Sequence, residues 1–198
     1  MIKKVLFVIV LGFILQLITG CCDCDPIRKI YFSKKGLSLK NLDSALPLPG
    51  VTNDSIIASA KYGIHIQLLT TQLALHKQRI KWGLIQSAQA CKCASDDFIP
   101  KEDILSVAIF SNNDFDAAHL KNTDLSLYFK AKRNSSFVSI IDYLKLVKDV
   151  VYRGNLPFFE GIFLQTAPNL SKKHKFRIKI TLSDGRILEA ETTEVELI

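Results

Sequence analysis

The clearest pattern in the chain is an alternation of apolar and polar residues, which recurs in several short stretches. It is strongest over Phe176–Leu182, where apolar residues alternate with Arg177, Lys179 and Thr181, and it is repeated over Ile64–Leu68. A period of two places alternate side chains on the same face of a strand. Both stretches are therefore predicted to be strands with one buried face.

Turn signals and β-rich composition predict further strands around these two. Asp184-Gly185 predicts a two-residue hairpin turn after the Phe176 strand, with the chain returning over Arg186–Leu197. Ile104–Phe110 is nearly continuous in apolar residues, which indicates a central strand. The other predicted strands are Arg28–Leu42 (one or two strands, with a possible turn at Lys34-Lys35-Gly36), Leu125–Phe129 and Phe158–Thr166.

One stretch has the spacing of a helix. Apolar residues recur every three or four positions from Phe137 to Val151, through Ile140, Ile141, Leu144 and Val147. Ser135 or Ser136 is the expected N-terminal cap. The pattern predicts a helix near residues 136–152 whose apolar face covers one edge or end of a sheet.

Seven or eight short strands, one helix and no βαβ alternation predict a mainly β fold. The favoured architecture for residues 28–198 is an antiparallel β-sandwich of the immunoglobulin-like Greek-key type with one helical insertion. The cysteine positions do not match the inter-sheet bridge of antibody domains.

The N-terminus has the layout of an exported lipoprotein. A short cationic start, Met1–Lys4, precedes an apolar run that ends near Ile18, which is typical of a secretory signal peptide over residues 1–20. Leu17-Ile18-Thr19-Gly20-Cys21 resembles the bacterial lipobox. The resemblance implies that Cys21 is the lipidated mature N-terminus, that residues 21–27 are a lipid-anchored, cysteine-rich start, and that the acyl chains hold the protein to a membrane.

The four other cysteines form two Cys-x-Cys pairs, Cys22 with Cys24 and Cys91 with Cys93. Residues i and i+2 of an extended chain face the same way, and export permits disulfides, so bridges between the two pairs are predicted. A four-thiolate zinc or copper(I) site and free thiols are the alternatives. The sequence leaves the connectivity open.

Composition and charge limit the class of protein and the kinds of partner that the chain can have. With 48% hydrophobic and 23% charged residues, the chain has an ordinary globular composition, which excludes a disordered or low-complexity protein. The formal net charge is +7. Arg28-Lys29 and Lys34-Lys35 lie close behind the anchor, where they either contact anionic headgroups or are solvated loop charges. Export separates the chain from nucleic acid, which is therefore not a predicted partner.

The chain carries no phosphate-binding loop, zinc-protease motif, nucleophile elbow or dinucleotide fingerprint. Asp114, Asp116 and His119 are candidates for a divalent metal site. Their segment lacks the glycine and the twelfth-position glutamate of an EF-hand. Asn and Asp side chains commonly cap turns after a strand, so turn capping is the favoured interpretation, and no cofactor is predicted.

The lipobox, the Cys22–Pro26 start and the closing Ile180–Arg186 segment together resemble an uncharacterised family of Bacteroidetes-type lipoproteins with a β-rich domain of unknown function. The resemblance implies a place in the cell envelope, with the outer membrane as the expected site, on either its periplasmic or its surface face. It implies no particular activity.

The favoured hypothesis is a non-enzymatic module that binds an envelope protein or a glycan, with exposed aromatics such as Trp82 or Phe158-Phe159 in the contact surface. A structural accessory subunit of an envelope complex is the alternative. A metal-dependent hydrolase built on Asp114, Asp116 and His119 is the second alternative.

Overall fold

The computed structural model describes residues 27–45, 50–72, 96–134, 136–148, 157–158 and 160–198. Over these residues the chain is mainly β, with one α-helix, α1, at Ile140–Val147 and 3₁₀ turns at Ser59–Lys61 and Ser126–Tyr128. No helix in the described ranges is long and apolar enough to span a membrane. The strands are β1 Lys29–Asp43, β2 Gly50–Val51, β3 Ile56–Ile57, β4 Tyr62–Gln72, β5 Asp97–Pro100, β6 Ile104–Ser111, β7 Phe129–Arg133, β8 Ser136–Ser139, β9 Ile162–Leu164, β10 Lys173–His174, β11 Phe176–Leu182, β12 Ile187–Glu191 and β13 Val195–Leu197.

The strands form three sheets. The largest has the order β2-β1-β4-β9-β7-β8, with β5 beside β1, and the two smaller ones have the orders β10-β13-β3 and β12-β11-β6. Pairing is antiparallel except between β1 and β5 and between β13 and β3. The predicted mainly β, antiparallel fold is confirmed, whereas these pairings do not confirm an immunoglobulin-like sandwich.

The core lies where alternating side chains of several strands meet. Ile64 on β4 and Ile178 and Ile180 on β11 are fully buried, as their period-two spacing predicts. The ring of Phe176 contacts those of Tyr62 and Phe129, with centroid distances of 5.3 and 5.5 Å. These contacts join strands of two sheets into a single apolar interior.

The C-terminal hairpin is confirmed, but its turn is longer than predicted. β11 and β12 pair from Arg177↔Glu191 to Thr181↔Ile187. The Leu182 amide donates to the Arg186 carbonyl at 2.9 Å, which leaves three residues in the turn rather than two. Gly185, at φ 84°, adopts the left-handed conformation that closes it. The returning chain does not continue as one strand, because Val195–Leu197 joins another sheet.

The predicted turn at residues 34–36 is wrong. β1 runs unbroken through this segment and pairs with β4 on both sides of a bulge between Lys34 and Gly36. The bulge absorbs one extra residue without reversing the chain. It also leaves Lys34 buried, so this lysine does not contact headgroups as one alternative supposed.

The predicted helix begins too early. Ser136–Ser139 is a strand that pairs with β7, so Phe137 lies on β8 and packs edge-on against Phe163. The helix starts at Ile140, where the Ser139 hydroxyl caps it by accepting the Asp142 amide. Cross-strand pairing with β7 therefore outweighs the helical spacing at the first turn. Residues 149–152 of the prediction lie outside the described residues.

Three strand predictions are corrected in extent or position. β6 forms within Ile104–Ser111, but it pairs only with β11 among the described strands and is therefore an edge strand rather than a central one. Most of Leu125–Phe129 is a 3₁₀ turn, and the strand begins at Phe129. Among the described residues of Phe158–Thr166, the strand covers Ile162–Leu164.

Candidate functional site: an open apolar groove beside the helix

An open groove runs between β6, the 3₁₀ turn at Ser126–Tyr128 and α1. Its volume is about 540 Å³. Aliphatic and aromatic side chains from all of these elements and from β7 line it, among them Leu105, Val107, Leu127, Phe129, Ile140 and Ile141.

The groove is continuous with the core below and open to solvent above. Val107, Phe129 and Ile140 are buried and belong to the core. Leu105, Leu127 and Ile141 are 62%, 85% and 62% exposed. Single exposed aliphatics are ordinary, but a contiguous apolar surface above a concave floor is typical of an interaction site.

Local hydrogen bonds explain why Leu127 points outward. The Ser126 hydroxyl accepts the Ile109 amide at 3.2 Å and lies at the same distance from the Val107 carbonyl. The Asp124 carboxylate accepts the Ser126 amide at 2.8 Å. These bonds fasten the 3₁₀ turn to the outer edge of β6, so the next side chain, Leu127, projects into solvent.

The helix contributes one buried and one exposed side of its apolar surface. Ile140 is buried and contributes to the groove floor, whereas Ile141, one residue further around the helix, is exposed in the groove. The exposed Leu146 shows that the apolar sequence exceeds what packing against the sheet requires. The prediction that the helix covers a sheet therefore accounts for only part of its apolar surface.

Three lysines stand at the rim. Lys130 comes from β7, Lys145 from the last turn of α1 and Lys148 from the C-cap of α1. Lys145 lies 3.2 Å from Asp142, with both side chains well exposed, so this pair contributes little to stability. Within the described residues Lys130 and Lys148 form no ion pair. The groove thus has an apolar floor and cations at its margin.

A buried ionic network lies just before the start of β6, next to Asp103 of the groove lining. Oε1 of Glu102 accepts a hydrogen bond from the Ser33 hydroxyl at 2.6 Å and lies 2.9 Å from the Arg186 guanidinium. The Lys34 ammonium donates to the Glu102 carbonyl. Burial lowers the pKa of Lys34. Burial alone would raise the pKa of Glu102, but hydrogen bonds from the Ser33 hydroxyl and the Lys34 backbone amide to its carboxylate lower it. The network holds β1, the start of β6 and the hairpin turn together.

The structure brings together two of the three predicted metal ligands. Oδ1 of Asp116 lies 2.9 Å from Nδ1 of His119, and the Tyr128 hydroxyl donates to Oδ2 at 2.7 Å. Asp114 lies apart, accepting the Lys121 amide at 2.7 Å. No group of three or more His, Cys, Asp or Glu side chains in the described ranges is placed to hold a metal.

The Asp116 carboxylate is already saturated by donors from its own loop. Hydrogen bonds from Tyr128, His119 and Ala118 lower the pKa of Asp116 to about 2. The bond to Asp116 raises the pKa of Tyr128. These hydrogen bonds stabilise the loop and agree with the turn-capping interpretation of these residues.

A serine and a histidine also meet, but inside the core. Ser111 and His174 are 2% and 0% exposed, with the Ser111 hydroxyl 2.8 Å from Nδ1 of the ring. Nε2 of His174 donates to the Ser171 carbonyl at 2.8 Å. Because the hydroxyl is buried, a substrate has no access to it, and the pair is structural.

The remaining predicted site residues have different outcomes. Phe158 is fully buried rather than part of an exposed aromatic surface, and it stacks on Tyr143. The predicted lipidation site, the four candidate disulfide cysteines and the other two aromatics lie outside the described residues, namely Cys21, Cys22, Cys24, Cys91, Cys93, Trp82 and Phe159.

The sequence prediction missed the groove. Its only local signals are adjacent apolar pairs, Ile104-Leu105 and Ile140-Ile141, in which one member exceeds what a single buried face requires. Such pairs also occur in fully buried strands, so they do not identify a groove without the tertiary structure.

Comparison with known proteins gives a family without an activity. A family model described as a domain of unknown function, DUF5034, matches residues 34–193. Neither the curated proteins nor the solved structures include a match to the chain.

Proposed function

The chain belongs to the DUF5034 family, and we propose that it is a membrane-anchored envelope lipoprotein that acts as a non-enzymatic binding module through its apolar groove. The observation that carries the proposal is the exposure of Leu105, Leu127 and Ile141 around one concave surface. Burying these side chains against a partner removes about 25 cal/mol of unfavourable hydration per Å².

The lining favours an apolar partner over a glycan. Sugars are commonly held by aromatic faces and converging polar groups, whereas the aromatic side chain in this groove, Phe129, is 1% exposed. The apolar side chains exposed in the lining are aliphatic, which suits the apolar surface of a protein segment or a lipid.

The anchor half of the proposal rests on the N-terminal sequence. Gly20-Cys21 ends the lipobox-like segment, and β1 begins at Lys29. Eight residues of extended chain span at most about 29 Å. A lipid on Cys21 therefore keeps the start of β1 close to the bilayer.

Metabolic labelling with an alkyne fatty acid tests the anchor. The Cys21→Ala variant is expected to lose the label, because its thiol is the predicted acceptor. Cys22→Ala, one residue away, is the matched control and is expected to keep it. Label retained in Cys21→Ala contradicts the proposed anchor.

Site-specific photocrosslinking in cells tests the binding surface. A benzoylphenylalanine at position 127 or 141 is expected to give discrete crosslinked species, because a partner covers the groove. Position 120 is the matched control, since Leu120 is also exposed but lies outside the groove. Crosslinking that does not differ between the groove and position 120 rejects the groove as the binding surface.

A further inference from the structure

We infer that the groove binds an anionic amphiphile with a single acyl chain, such as a fatty acid or a single-chain phospholipid. The inference rests on the proposed function of the groove and names its ligand class. Its basis is the combination of an aliphatic floor with a lysine rim.

The size and lining of the groove suit one acyl chain. Its volume of about 540 Å³ lies within the usual range for small-molecule sites, roughly 300–1,000 Å³. Leu105, Leu127 and Ile141 offer methyl and methylene groups without an exposed hydrogen-bonding group of their own. An alkyl chain gains from such a lining, whereas a polar ligand leaves its own groups unpaired.

The rim supplies the charge that an anionic head requires. Lys145 on α1 and Lys148, the C-cap residue of α1, are three residues apart and therefore project on the same side of the helix. Lys130 on β7 is the third lysine of the lining. Of the two carboxylates in the lining, Asp124 is held by the backbone amides of Ile109 and Ser126. With Asp103 as the other, the lining has three lysines against two carboxylates.

The edge of β6 argues against an added peptide strand. An extended peptide binds an edge through successive backbone hydrogen bonds. Here Ser126 already lies against the backbone of Val107 and Ile109 on that edge. Only Leu105 and Ser106 are exposed along this part of the strand, which is too short for a peptide ladder.

Displacement of cis-parinaric acid, a fluorescent fatty acid, tests the ligand class. The protein is residues 21–198 with Cys21→Ser, which keeps every described residue and removes the predicted signal peptide and lipid acceptor. Oleate is expected to displace the probe about fivefold more effectively than oleyl alcohol, which has a neutral head, because an exposed charge pair contributes up to about 1 kcal/mol. Oleoyl-lysophosphatidylglycerol, run in parallel, distinguishes a phospholipid source from a free fatty acid.

Two sets of variants test recognition of the ligand's head group and recognition of its acyl chain separately. Lys145→Gln/Lys148→Gln is expected to remove the preference for oleate over oleyl alcohol, and Leu127→Gln/Ile141→Gln to weaken both ligands. Lys121→Gln and Leu120→Gln are matched controls outside the groove and are expected to change neither. All these side chains are exposed, so the fold is retained, which circular dichroism verifies.

The outcomes are distinct. Equal displacement by oleate and oleyl alcohol would contradict the preference for an anionic head group. Failure of the folded chain to bind parinaric acid would overturn the inference as a whole. If that failure accompanies protein crosslinks at position 141, the proposed binding module stands without this ligand. A photoreactive fatty acid added to membranes that hold the full chain gives a second readout. Adducts within residues 140–148 support the site, and adducts spread over the chain contradict it.

Discussion

His174 is fully buried, and each of its ring nitrogens has a partner. Nε2 must carry the proton because it faces the Ser171 carbonyl, so Nδ1 accepts the Ser111 hydroxyl. The ring also stacks on Phe176, with a centroid distance of 5.5 Å. The fold therefore holds this histidine neutral.

This burial predicts a loss of stability in acid. Burial lowers the pKa of His174 below its ordinary value of 6.5, so below that pH the unfolded chain takes up a proton that the folded chain resists. The free energy of unfolding is expected to be fully retained above pH 6.5 and to fall below it, by at most about 1.4 kcal/mol per pH unit for one proton.

Urea unfolding between pH 7.5 and 5 checks the prediction, with His174→Gln as the comparison. Glutamine keeps a donor near Ser171 but does not titrate. His65 also has a pKa lowered by burial, and it contributes equally to both chains, so only their difference is informative. Parallel pH profiles for the two proteins are incompatible with a buried neutral His174.

Lys34 shows why residue roles are hard to predict from the sequence. In the sequence it belongs to a basic pair near the chain start, which indicates an exposed charge. In the structure it is buried against Glu102, 68 residues away. Local pattern contains no information on that distant partner, and a buried cation is stable only where such partners exist.

At the scale of secondary-structure elements, two glycines with the same backbone conformation have different surroundings. Gly161 and Gly185 have φ of 85° and 84°. A Cβ on Gly161 would lie 2.6 Å from Cδ1 of Leu42 and 3.1 Å from the Ile64 carbonyl oxygen, whereas one on Gly185 would meet nothing within 4 Å. Substitution by a residue with a Cβ would therefore strain the backbone at both sites. Of these two sites, only Gly161 would also place the Cβ in steric overlap with its neighbours.

Alanine at the two positions is expected to differ accordingly. Gly185→Ala should cost about 1 kcal/mol of unfolding free energy, the penalty for a left-handed backbone with a Cβ. Gly161→Ala should cost about 1–3 kcal/mol more, because Leu42 and β4 must shift. Urea denaturation of both variants measures the difference. Equal losses would show that Gly161 is not in close contact with β4.

The elements that the sequence predicted well are those whose local signals agree. Alternation and a turn signal both indicated the β11–β12 hairpin, and it forms. At residues 136–139 the local pattern and the tertiary pairing disagree. Helical spacing favoured an early start, but pairing with β7 makes the segment a strand, and β7 contributes no information to the local pattern.

At the scale of the whole molecule, the fold class was predictable but the candidate site was not. Period-two alternation without βαβ units specifies a mainly β, antiparallel protein, whichever strands pair with one another. The groove requires three elements from separate parts of the chain, β6, the 3₁₀ turn at Ser126–Tyr128 and α1. Each contributes one or two exposed aliphatics that are unremarkable alone.

The central claim is that a ligand or partner covers the groove in the envelope. Hydrogen–deuterium exchange of the chain in its own membranes, compared with the purified chain, tests it most directly. The account predicts slower exchange at the edge amide of Leu105 and over residues 140–148 in membranes, with no change at residues 120–123. Equal exchange at the groove in both preparations would contradict it.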